Sequence, residues 1–121
     1  MAILSNEAKK IIAEFGPALI ATASKSGKPN VSPKGSFRIL DDEHVIFANV
    51  ASQRTIANLK ENPQLTAIIL DRSTRKGCRI WGKAEILASG DLFDSISAEY
   101  AVRDMKVKHV VRVTVEEVAT F

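Results

Sequence analysis

Cysteine is nearly absent: of 121 residues only Cys78 carries a thiol. An internal disulfide and a cysteine-built metal site are therefore excluded. Histidine is scarce too. His44 and His109 lie far apart, with no carboxylate or cysteine at metal-ligand spacing, so both read as structural and no metal is expected. Aromatics are limited to five Phe, one Tyr and one Trp, a poor stacking platform for single-stranded nucleic acid. No apolar run approaches the ~20 residues of a membrane span. The N-terminal MAILSNEAKK lacks the basic start and long apolar stretch of an export signal, and a reducing, cytoplasmic location is expected. Also missing are a Walker-type loop, a G-x-G-x-x-G fingerprint and a serine–histidine–acid cluster. No residue reads as a committed catalytic acid, base or nucleophile.

What is present is a globular composition, 45% apolar and 26% charged, in a chain of one-domain length spanning 1–121. The net charge of +3 is mildly basic. It suits a phosphorylated small molecule and is thin for duplex DNA.

Hydrophobic periodicity places the elements. Asn6 to Phe15 reads as a helix capped by Ser5 or Asn6, with Ala8, Ile11, Ile12 and Phe15 on one face; Gly16-Pro17 stops it. Ala18 to Ser24 is β-compatible, and Lys25-Ser26-Gly27-Lys28-Pro29 turns it into a second strand, Asn30 to Leu40. That strand alternates, with Val31, Pro33, Gly35, Phe37 and Ile39 on one side and Ser32, Lys34, Ser36 and Arg38 on the other. Pro33 cannot donate to a ladder, which puts the strand at an edge, a bulge or a barrel mouth. Asp41-Asp42-Glu43 turns the chain into His44 to Val50, apolar enough to be buried on both faces. Ser52 to Glu61 reads as helix, Gln64 to Asp71 as strand, Cys78 to Leu87 as an alternating strand, Ser89 to Val102 as helix and Val107 to Val118 as the last strand. The expectation is a mainly β domain with short helices: a six-stranded antiparallel barrel.

The chemistry concentrates where the third strand runs into the middle helix, Ala48-Asn49-Val50-Ala51-Ser52-Gln53-Arg54-Thr55. The first turn of a helix offers unpaired N–H groups and a partial positive charge. Ser52 can cap, Arg54 brings a planar fork of donors, and Thr55 adds a hydroxyl, the composition of an anion site. The plain alternative is an ordinary cap followed by solvated polar residues. Lys34, on the polar side of strand two with Ser32, is either a guard of an edge strand or a second cation for the same pocket. Arg72, Arg75, Lys76, Arg79 and Lys83 form a basic stretch without an acid, read as a solvated loop and strand face. Cys78 falls on the apolar side of its strand and reads as an inert core residue.

Three segments carry a family resemblance. Ser52-Gln53-Arg54-Thr55-Ile56-Ala57-Asn58-Leu59-Lys60-Glu61-Asn62-Pro63-Gln64-Leu65 resembles the helix signature of the pyridoxamine 5'-phosphate oxidase-like FMN-binding split barrels. Pro29-Asn30-Val31-Ser32-Pro33-Lys34-Gly35 is similar to that family's second strand, and Arg79-Ile80-Trp81-Gly82-Lys83-Ala84-Glu85 to its basic-apolar-x-Gly-x-Ala strand. The resemblance implies a six-stranded split β-barrel of Greek-key type, a homodimer, and FMN at the dimer interface with its phosphate on the middle helix. It implies Arg54 and Thr55 as phosphate ligands with Ser52 and Gln53 beside them. Ser32, Pro33 and Lys34 would follow the ribityl chain and phosphate, and Ala48, Asn49 and Val50 would pass the flavin ring. Asn58, one turn beyond Arg54, would support Arg54 or reach the ligand. The family's namesake enzymes have longer terminal segments that close over pyridoxine phosphate. Here the last strand is followed directly by Phe121, so the likeness is to the minimal FMN-binding members rather than to a pyridoxamine phosphate oxidase, and Phe121 is expected over the partner's flavin.

The expected function is thus a dimeric flavoprotein, a small FMN-dependent oxidoreductase or electron carrier exchanging electrons with a small molecule or protein. Two other readings keep the barrel: one binds deazaflavin or haem, the other binds nucleic acid without redox work.

Overall fold

A computed structural model describes residues 2–121 of the chain. Helix α1 (Asn6–Glu14) starts where the Ser5 hydroxyl accepts the Ala8 N–H at 3.1 Å, and it buries Ala8, Ile11 and Ile12. Strands β1 (Ala18–Ala23) and β2 (Pro29–Lys34) form the expected hairpin. In its turn Gly27 adopts φ 91°, a conformation that a side chain would resist.

The stretch read as one strand from Asn30 to Leu40 is two. After β2 the chain breaks at Gly35-Ser36-Phe37 and resumes as β3 (Arg38–Asp41), which pairs with β4 (His44–Asn49). The break has a tertiary cause. The Ser36 hydroxyl accepts the Ala48 N–H at 2.9 Å and donates to the Ala48 carbonyl at 3.3 Å, while Phe37 turns into the core. Helix α2 (Gln53–Glu61), β5 (Gln64–Leu70), β6 (Gly77–Leu87), α3 (Asp91–Ala101) and β7 (His109–Thr120) follow.

The seven strands make one antiparallel sheet in the order β2-β1-β5-β6-β7-β4-β3, so the expected mainly β antiparallel architecture holds while the six strands of the expected split barrel become seven, in a sheet that does not close. Its two edge strands, β2 and β3, are joined by only Gly35-Ser36-Phe37. So short a link between opposite edges requires the sheet to coil until the edges approach each other. Gly82 allows the tight β6–β7 pairing, because a Cβ there would stand 2.5 Å from Val113 Cγ1 and 2.6 Å from the Thr114 carbonyl oxygen.

The inside of the coil holds the main core. Ile20, Ala67, Ile69, Ile80, Val113 and Phe47 meet Ile11 and Ile12 of α1 and Ile56 and Leu59 of α2. A smaller core lies outside, where α3 lays Ile96 over Ile46, Ala48 and Val110. The burial of β4 on both faces, expected from its apolar run, follows from these two cores. No described helix is long and apolar enough to cross a membrane.

Candidate functional site

Three chain segments converge beside the start of α2. β2 brings Ser32 and Lys34 on one side of the strand, and the loop after β4 brings Ser52. Alternation along β2 is as expected, but the polar side is the one turned inward: Lys34 is 7% exposed, whereas Val31 is 63% exposed. The Lys34 ammonium donates to Ser52 Oγ, and Ser32 Oγ lies 3.2 Å from the same oxygen. Among the described residues, none of the ion pairs includes Lys34. Burial lowers its pKa from the ordinary lysine value, because an ammonium taken from water without a counter-ion is held at a cost.

The helix start beside it is open. Ser52 occupies the cap position, yet its side chain does not cap, a correction with a plain cause: Lys34 and Ser32 engage the hydroxyl. The Ser52 N–H instead donates to Asn49 Oδ1 at 2.9 Å. Among the described residues the amides of Arg54 and Thr55 have no backbone acceptor outside the helix, and the first turn supplies none within it. Thr55 Oγ1 is buried and has no partner among the described residues. An ammonium, hydroxyls and unpaired amides, with no carboxylate paired to them among the described residues, make a donor-rich corner whose composition suits an anion.

The corner is one end of a cavity of about 390 Å³ lined by Pro33, Lys34, Ser36, Ala48, Val50 and Ser52, with Tyr100, Arg103 and Met105 on its far side. The last three were not expected. They arrive because α3 crosses the outside of β4 and β7, a packing that leaves no local signal in the sequence. Arg103 lies 5.4 Å from the Tyr100 ring centre and gives the cavity a second cation. The other expected residues stand around this corner without all sharing it. Gln53, Arg54 and Asn58 open on a neighbouring cavity of about 500 Å³ with Ser24 and Lys28. Asn49 and Val50 also line a third, of about 350 Å³, with Gln53, Lys60 and His109. Asn58 is 6% exposed and donates to Thr22 Oγ1 at 3.1 Å, so its amide ties α2 to β1.

Remaining polar residues fall outside the corner. Cys78 is fully buried and its thiol is pushed up to about 11, first by burial and then by Glu7, which leaves it unreactive. His44 pairs with Asp41 at 2.8 Å. No group of described residues could hold a metal ion. Phe121 pairs with Gly77 by two backbone hydrogen bonds of 3.0 Å, and the Arg79 guanidinium lies 5.5 Å from its ring and 5.9 Å from that of Trp81.

A family model described as Pyridoxamine 5'-phosphate oxidase matches residues 4–121. No curated protein matches the sequence. Among solved structures, HupZ of Group A Streptococcus is 28% identical, with 98% of this chain and 94% of that one covered at a TM-score of 0.90. An FMN-binding protein from Syntrophomonas wolfei is 19% identical, with coverage of 97% and 85% and a TM-score of 0.85. HutZ, a haem storage protein from Vibrio cholerae, is 22% identical, with coverage of 100% and 94% and a TM-score of 0.73. The last two likenesses show the fold alone.

Proposed function

The chain belongs to the pyridoxamine 5'-phosphate oxidase family, and from that premise we propose that it is an FMN-binding flavoprotein, a small oxidoreductase or electron carrier. One observation carries the reading. Lys34 is a buried cation without a carboxylate, set among hydroxyls at an open helix start. A dianionic phosphate monoester supplies the counter-charge and accepts from the whole donor set.

In this reading Lys34, Ser32 and Ser52 donate to phosphate oxygens, and the amides of Arg54 and Thr55 complete the cradle. Arg54 is exposed and adds long-range attraction from the rim. Ala48 and Val50 wall the cavity beyond the phosphate, and Tyr100 and Met105 shield it from water. FMN, when bound, supplies hydride and single-electron chemistry. The chain's part is to bind, orient and charge the site, and Arg103 at the cavity wall would add positive charge beside the bound group.

The working unit in this proposal is a homodimer. α3 covers the outside of the sheet over β4 and β7. Over β2, β1, β5 and β6 the outer face carries Pro33, Leu19, Ile68 and Arg79 in one row and Val31, Ala21, Thr66 and Trp81 in the next. Leu19 is 44% exposed there. The same face holds Glu117 opposite Trp81, so it offers both charge signs around an apolar centre. A second copy related by a two-fold axis meets that pattern with its own.

The direct test is to purify the protein, denature it and identify the released small molecule by mass spectrometry and absorbance. FMN is expected. A haem or a deazaflavin with the same fold would overturn the cofactor assignment. A protein that releases nothing, takes up no FMN and shifts single-stranded DNA would overturn the flavoprotein reading altogether.

A further inference from the structure

His109 and Asn49 are register partners across β7 and β4. Asn49 is 3% exposed, so its amide has little recourse to water. The Ser52 N–H donates to Asn49 Oδ1 at 2.9 Å, which fixes the end of the amide that is oxygen. The NH₂ end then lies 3.4 Å from His109 Nδ1. An amide NH₂ only donates, so Nδ1 accepts and the proton of the neutral ring sits on Nε2. The groups facing the ring are Asn49 from β4, Gln53 and Lys60 from α2, and Lys108 from the segment entering β7; the cavity they line has no carboxylate. Burial, then Lys60 and Lys108, lowers the His109 pKa, which favours the neutral ring.

We infer that His109 is a positioning residue for the anion corner, holding the Ser52 amide in place through Asn49. Protonation of His109 puts a second N–H at Nδ1, against the Asn49 NH₂. Two donors cannot share that contact. The amide is displaced by it, either drawing back from the ring or turning over, and a turned amide sets its NH₂ against the Ser52 N–H; both disturb the 2.9 Å contact. The Ser52 N–H is then held less well, and Ser52 is the residue whose hydroxyl meets Lys34 and Ser32. The corner is thereby loosened at Ser52. Only the affinity consequence rests on the FMN reading; the relay itself is a property of the ligand-free chain.

Nitrogen-15 NMR of the ligand-free protein tests the relay. The Nε2–H form is expected at about pH 8. On acidification the Asn49 side-chain amide and the Ser52 backbone amide should shift with the midpoint of the His109 ring. An Nδ1–H ring, or a Ser52 amide that ignores the ring's titration, would overturn the inference. FMN titration of the wild type and of His109→Asn tests the consequence. Asparagine can place an oxygen near the Nδ1 position and does not titrate. FMN phosphate itself loses charge near a pKa of about 6, so both proteins weaken in acid. The wild type should weaken by a further factor of at least about three, the value of one modest hydrogen bond. Parallel pH profiles would overturn the positioning role. If neither protein binds FMN, the cofactor reading fails, while NMR still decides the relay.

Discussion

Replacing Lys34 with methionine should move stability and ligand affinity in opposite directions. In the ligand-free protein the ammonium is buried beside two serines and faces no carboxylate. An uncompensated buried charge opposes folding, and exchanging such ionic groups for apolar ones of similar volume is commonly neutral or stabilising by about 1–4 kcal/mol. Ser32 and Ser52 keep each other as partners at 3.2 Å, so the substitution strands no hydroxyl. A gain of about 1–2 kcal/mol is expected for this incompletely enclosed group, which raises Tm by roughly 3–10 °C. The pH dependence has a definite sign. Folding lowers the Lys34 pKa, so the unfolded chain binds the proton more tightly. Ligand-free stability therefore rises with pH from the lowered value up to the ordinary lysine range, and Lys34→Met removes that rise. Binding behaves oppositely. Loss of a charge-assisted hydrogen bond to phosphate removes about 1.5–3 kcal/mol, a roughly ten- to hundredfold weaker FMN complex. Thermal melts of the ligand-free proteins over a pH series, paired with FMN titrations, read both effects. A variant that is less stable yet binds FMN as well as the wild type would refute the reasoning.

Three further outcomes follow from the same geometry. Arg54→Ala should leave ligand-free stability within about 0.5 kcal/mol, since the side chain is exposed and surface changes are small; it should weaken FMN binding several-fold, with a shallower salt dependence in calorimetry. Asn58→Ala should cost about 1–2 kcal/mol in urea unfolding, because it strands the buried Thr22 hydroxyl 3.1 Å away. Leu19→Glu, which places a charge in the bare outer face, should give a monomer by light scattering; an unchanged dimer would move the interface elsewhere.

The elements themselves were largely legible. Ser5 with Ala8, Ile11 and Ile12 marks α1 because a cap and a 3.6-residue stripe are local signals. The alternation of Cys78, Ile80 and Gly82 against Arg79, Trp81 and Lys83 marks β6 for the same reason. That Ser32, Lys34 and Ser52 carry polar chemistry could also be read, and the structure brings the three together. What could not be read depends on distant partners. Alternation runs unbroken through Gly35 and Phe37, and only the Ser36 contact with Ala48 cuts the strand in two. Lys34 stands on a polar strand face that ordinarily meets water; here it is buried and meets Ser52, ahead of α2. Asn58 has the spacing of a ligand on the Arg54 face, yet Thr22 takes its amide. Tyr100 and Arg103 enter the cavity only through the path of α3.

A structure of the FMN-loaded protein at atomic detail tests the central claim most directly. Phosphate oxygens should lie within about 3 Å of Lys34 Nζ and of the first amides of α2. An FMN phosphate bound away from β2 and the α2 start, with the lysine still facing only its two serines, would contradict the account.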